Sequence, residues 1–189
     1  MPNRIATGTT NTAQNSIVTG SVERVGKPWS VSSNLLNFLG IWENGKMDGT
    51  NFAGQKVING FILKVYNDSK NLPTVGCGHL VVAEDNLFLG NEISEEQAKE
   101  FLRKDLENAE KAINKKIKVP LYQYEYDSLV SIAFNAGSGG VSQLCEKVNE
   151  GDYESIPDEI EEYRTGGGNG KRRKSEAKLF KTGIYDATH

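Results

Sequence analysis

The first sustained pattern in the chain is "SSNLLNFLGIWENG", where Leu35, Leu39 and Trp42 recur at helical spacing. Ser33 is placed to cap that helix and Gly45 to stop it, which puts Glu43 in the last turn. From Lys56 to Val82 the texture changes to short β-branched and aromatic runs, "KVINGFILKVYND" and "TVGCGHLVV", punctuated by "SKNLP". Such runs predict strands joined by turns. Next, "EISEEQAKEFLRKDLENAEKAINKKIKVP" opens with a capping box from Ser94 to Gln97 and carries Ala98, Phe101, Leu102, Ala109 and Ile113 on one face before Pro120. This is a long amphipathic helix. Further helical segments lie in "YEYDSLVSIAFNAG", "GVSQLCEKVNEGD", "SIPDEIEEYRTGG" and "KRRKSEAKLFKTG", each closed by glycine or a polar turn. The order of elements predicts an α+β fold with a small β-hairpin lobe, a larger all-helical lobe and a cleft between them. Residues 1–30 are rich in Thr, Asn, Gly and Ser and lack periodicity, so they read as a flexible polar tail or linker ahead of one domain spanning 31–189.

Composition narrows the options. A chain of 189 residues buries enough core to need no disulfide or metal staple, and no apolar run approaches a membrane span. With a net charge of −3 there is no broad cationic field, which argues against nucleic acid as a partner. Cys77 and Cys145 lie in apolar surroundings without metal-ligand spacing and read as reduced core residues, a single bridge between them being the alternative. No cofactor or metal is expected. Met1 to Ser30 is polar throughout, so export by an ordinary signal peptide is not encoded there.

The segment "FILKVYNDSKNLPTVGCGHLV" gathers a carboxylate, a hydroxyl and an imidazole around a glycine-rich turn, in a chain with only 2 histidines. Taken singly, Asp68 is a turn former, Thr74 a strand residue and His79 a structural histidine that supports the turn or pairs with a carboxylate. Taken together, Asp68, Thr74 and the run Gly76-Cys77-Gly78-His79 resemble the catalytic hairpin of the phage-type lysozymes, the endolysin family of glycoside hydrolases. The likeness continues through "ISEEQAKEFLRKDL", "YDSLVSIAFNAGSGG" and "RRKSEAKLFKTGIYDA" in family order, covering roughly Leu35 to Ala187.

The resemblance implies a lysozyme-like two-lobed fold and cleavage of the β-1,4 bond between N-acetylmuramic acid and N-acetylglucosamine in peptidoglycan. It assigns Glu43 as general acid, Asp68 as the ionised carboxylate that orients a water, and Thr74 as a second hold on that water. Gly76, Gly78 and His79 would shape the turn. "FNAGSGG" resembles the family's substrate-cleft segment, with Asn135, Ser138 and Gly139 as sugar contacts, although the same residues also read as an ordinary glycine helix stop. One departure stands out: 25 positions separate Glu43 from Asp68, where the family has a short hairpin, and the shorter register would land near Asn59. "KMDGTNFAGQKVIN" is therefore expected to be an inserted loop or lengthened hairpin, with Asp48 a weaker substitute acid.

"KRRK", Lys171 to Lys174, reads as a solvated helix face that could hold an anionic wall. Two rival functions are a cysteine peptidase or amidase of wall peptides, using Cys77 with His79 or His189, and a non-catalytic peptidoglycan-binding module. The expected setting is a monomer acting on the cell wall in the periplasm or outside the cell. A pore, secretion machinery or an upstream delivery domain would bring it there, whether in a phage endolysin or in a secreted antibacterial effector.

Overall fold

A computed structural model of the chain describes residues 23–137 and 139–188. Most of the expected tail, Ser138 and His189 lie outside the described residues. The chain divides into two compact units, residues 36–105 and the remainder.

Helix α1 (Ser33–Asn44), which leads into the smaller unit, buries Leu36, Phe38, Leu39 and Ile41 there. Its cap is Ser32 rather than the expected Ser33: the Ser32 hydroxyl accepts the Leu35 amide at 3.2 Å, one residue upstream in a pair of serines. Gly45 ends the helix in a left-handed turn (φ 78°), its amide donating to the Ile41 carbonyl at 2.9 Å. The segment expected to be an inserted loop or lengthened hairpin contains a two-stranded hairpin, β1 (Gly49–Thr50) against β2 (Lys56–Val57). Three antiparallel strands follow in the order β3 (Ile62–Asn67), β4 (Pro73–Gly76) and β5 (His79–Leu80). Helix α2 (Glu95–Lys116) closes this unit and continues into the other. Its capping box forms as expected, with Ser94 N–H on Gln97 Oε1 at 3.0 Å and Gln97 N–H on Ser94 Oγ at 3.1 Å.

The larger unit adds α3 (Gln123–Ala136), α4 (Ser142–Asn149), α5 (Ile156–Glu162) and α6 (Gly170–Thr182). Helix α3 is buried on every side from Tyr124 to Ala133, so its polar residues must find partners inside the protein. They do. The Ser128 hydroxyl donates to the Glu176 carbonyl at 2.8 Å, and Asp127 accepts Tyr185 Oη at 2.6 Å and Gln123 Nε2 at 2.9 Å. Glu125 takes a bidentate pair from Arg24, at 2.7 Å from Nη2 and 3.0 Å from Nε.

Arg24 falls in the stretch expected to be tail. It lies over the Tyr153 ring at 3.7 Å, Val25 exchanges backbone bonds with Leu121, and the Trp29 ring is buried against Tyr126. Ordered packing thus begins by Arg24, several residues before the boundary expected at residue 31.

The reading of "KRRK" as a solvated face is corrected for two of its four residues. Lys171 and Lys174 are exposed, but Arg172 and Arg173 are buried and paired with the fully buried Glu176.

Candidate active site

The hairpin of β3 and β4 carries the two residues that sequence placed at its heart. Asn67 pairs with Pro73, so Asp68 begins the turn and Thr74 stands one step along the returning strand. Asp68 organises that turn. Its Oδ1 accepts the Lys70 and Leu72 amides, each at 2.8 Å, and its own backbone N–H donates to the Leu72 carbonyl at 2.9 Å. Oδ2 carries no protein hydrogen bond among the described residues and is the oxygen that can meet a water. Thr74 is buried, and its hydroxyl donates to the Leu72 carbonyl at 3.0 Å. With its proton spent there, the Thr74 oxygen can only accept.

Glu43 sits in the last turn of α1, with an exposed side chain. Asn44 beside it is buried, and its amide nitrogen donates to Gly60 O at 2.7 Å and to Gly76 O at 3.0 Å. Asp48, the substitute acid, accepts the Asn59 amide at 3.0 Å and so serves the hairpin of β1 and β2.

His79 is fully engaged in structure. Its Nδ1 faces both oxygens of Asp105 at 3.1 Å, its Nε2 faces Asp85 Oδ2 at 3.1 Å, and its ring stacks on Phe101 at 4.2 Å. Burial works to raise the Asp85 pKa. The Val82 amide, the His79 hydrogen bond and the charges of His79 and Lys104 outweigh it and hold the carboxyl below its ordinary range. Phe101 and Asp105 lie one turn apart on α2, the signal that could have identified both as His79 partners from sequence.

Cys77 and Cys145 are free and buried, and burial pushes the Cys145 thiol up to about 12. The alternative of a bridge between them is set aside. A cysteine nucleophile finds no base in His79, whose two nitrogens are both committed to carboxylates.

In the larger unit, Asn135 borders a cavity of about 340 Å³ lined also by Ala136, Arg164, Gly166, Asn169 and Arg173. Asn135 Oδ1 accepts Arg173 Nη2. Gly139 is exposed in the following turn, and its carbonyl accepts the Ser142 hydroxyl at 3.2 Å. Among the described residues, no group of three or more His, Cys, Asp or Glu is arranged to hold a metal ion.

The phage lysozyme family model matches residues 56–177, well over half of the chain. The chain belongs to the phage lysozyme family. This lysozyme is 36% identical over 138 residues to an endolysin of Acyrthosiphon pisum secondary endosymbiont phage 1, a match covering 67% of this chain and 92% of that protein. It is 34% identical over 125 residues to the endolysin of Salmonella phage P22, covering 62% of this chain and 86% of that one. Among solved structures, a P22 lysozyme mutant aligns with a TM-score of 0.65 and 29% identity, covering 81% of this chain and 99% of that chain. The endolysin of Escherichia coli O157:H7 phage FAHEc1 aligns with a TM-score of 0.63 and 26% identity over 83% of this chain and 96% of that one. The protein is accordingly a lysozyme-fold muramidase, a glycoside hydrolase whose substrate is peptidoglycan. The matched segment contains Asp68 and Thr74 and begins after Glu43. No helix among the described residues is long and apolar enough to cross a membrane.

Proposed function

We propose that this muramidase cleaves its glycosidic bond with Glu43 as general acid and a water held between Asp68 and Thr74 as nucleophile. Glu43 gives its proton to the leaving glycosidic oxygen as the bond to the anomeric carbon breaks. The water attacks that carbon from the opposite face and passes a proton to Asp68, so the sugar is released with inverted configuration. The observation that carries the reading is the hydrogen bonding of the hairpin. Asp68 Oδ1 is occupied by two amides and the Thr74 proton by a carbonyl. What remains toward a ligand is one carboxylate oxygen and one hydroxyl lone pair, two acceptors. A water donating both its protons to these acceptors turns its own lone pair outward, as an attacking nucleophile must. Inversion calls for carboxyls roughly 6.5–9.5 Å apart, which leaves room for that water.

Taken by itself, the segment "FNAGSGG" supplies Asn135, Ser138 and Gly139 as contacts for the amides of the saccharide. A monomer suffices for the chemistry.

The test is Glu43→Gln and Asp68→Asn, assayed by mass spectrometry of muropeptides released from purified peptidoglycan. Each variant should keep its fold and lose at least ~10²-fold in turnover, the usual scale for losing a general acid or base. Wild-type yields of new reducing N-acetylmuramic acid ends from folded Glu43→Gln would remove that residue from the mechanism. Anomeric NMR of early product separates inversion from retention.

A further inference from the structure

We infer that Asn44 is a positioning residue for the reaction, setting the angle at which the Asp68–Thr74 hairpin meets the helix that carries Glu43; the inference rests on the assignment of Glu43 above. Asn44 is the last residue of α1, only 7% exposed, and directly follows Glu43. Its single Nδ2 donates to two carbonyls, Gly60 at 2.7 Å and Gly76 at 3.0 Å. These lie at matching points on the hairpin's base, since Gly60 precedes β3 by two residues and Gly76 ends β4, paired across the ladder with Ile62. One short side chain therefore stitches the helix end to both arms of the hairpin at once.

The chemistry of the joint calls for this residue type. An amide NH₂ offers two protons that diverge from one nitrogen, so it serves two acceptors from one point; aspartate has no proton to give, and a hydroxyl has one. The surroundings leave little freedom. Gly60 donates its own amide to the Met47 carbonyl at 2.7 Å, and a methyl group at Gly40 would meet Gly60 O at 2.8 Å, so helix and hairpin base touch backbone to backbone.

Geometry amplifies the effect of that joint. From Ile62 to Asp68 the strand runs about 20 Å at roughly 3.3 Å per residue, so a rotation of about 3° at the base moves Asp68 by about 1 Å. A misplacement of that size costs on the order of 10²-fold in rate when reacting groups must be aligned.

The experiment compares Asn44→Ala with wild type, each with and without Glu43→Gln. It measures turnover at saturating peptidoglycan, sedimentation binding to insoluble wall, and melting temperature. Asn44→Ala should lose about 10- to 100-fold in kcat while wall binding stays within about threefold. In the Glu43→Gln background it should cost little more, because Asn44 acts through the alignment of that acid. A loss equally large in both backgrounds marks a merely structural residue and overturns the inference. So does wild-type kcat in folded Asn44→Ala while Glu43→Gln is inactive. If Glu43→Gln itself is fully active, the assignment of Glu43 falls first and the positioning role falls with it. Should Asn44→Ala fail to fold, Asn44→Ser, which keeps a small polar side chain but not the two-proton amide, is read by the same outcomes.

Discussion

Replacing Glu176 with glutamine removes one charge and almost no volume from the centre of the larger unit. Glu176 and Arg173 are both 0% exposed and Arg172 is 5% exposed, so none of the three is rescued by water. The carboxylate accepts Arg172 Nε at 3.2 Å, Arg173 Nη1 and the Ser131 hydroxyl at 2.6 Å. In Glu176→Gln the two guanidinium groups lose their shared anion, and a new NH₂ is turned toward donors. Breaking a buried pair while leaving its partner charged costs about 3–5 kcal/mol. For a domain of this size each kcal/mol moves the melting temperature by about 2–4 °C, so a fall of about 6–20 °C is expected. Thermal melts followed by circular dichroism at pH 7 measure it, with Lys171→Ala and Lys174→Ala as controls. Both lysines are exposed, and each variant should stay within about 0.5 kcal/mol of wild type. A Glu176→Gln melt within 2 °C of wild type, or one no lower than the lysine controls, would refute the buried-network argument.

The His79 clamp predicts a pH dependence of stability. Asp85 titrates below its ordinary value in the folded protein, so its contribution is present above pH about 4 and is lost as pH falls through its folded pKa. Asp85→Asn should therefore be less stable than wild type by about 1–3 kcal/mol at pH 7, with the gap closing below pH 4; a gap that stays constant down to pH 3 contradicts it. The two thiols make a third prediction. With both buried and Cys145 pushed up to about 12, a thiol reagent at pH 8 should label neither until denaturant is added, while lytic activity survives the treatment. Rapid stoichiometric labelling of the native protein would show that burial to be wrong.

What could be read from the chain was local. Ser94 with Gln97, Gly45 after α1, and the alternation of strand and turn around Asp68 each announce themselves within a few residues, because caps and turns are decided at that range. What escaped reading depends on partners distant in sequence. Arg24 looks like part of a polar tail until Glu125, 101 positions away, is seen to hold it. In "KRRK" four charges suggest solvent, and only the glutamate three and four positions later hints that two of them turn inward. Asn44 gave no signal at all. A polar residue at a helix end is ordinary, and its two acceptors are backbone carbonyls that no side-chain pattern records.

The backbone bond from Gly60 to Met47 closes the hairpin of β1 and β2 at its root, while Phe52 stands fully in solvent at its tip. Such a closed neck works as a socket. Residues beyond it can be exchanged or extended, at about 0.6 kcal/mol for each doubling of loop length, with the root keeping its shape. New wall-recognition peptides could be grafted between Asn51 and Gln55, making this the place where the enzyme's specificity can diversify independently of its chemistry.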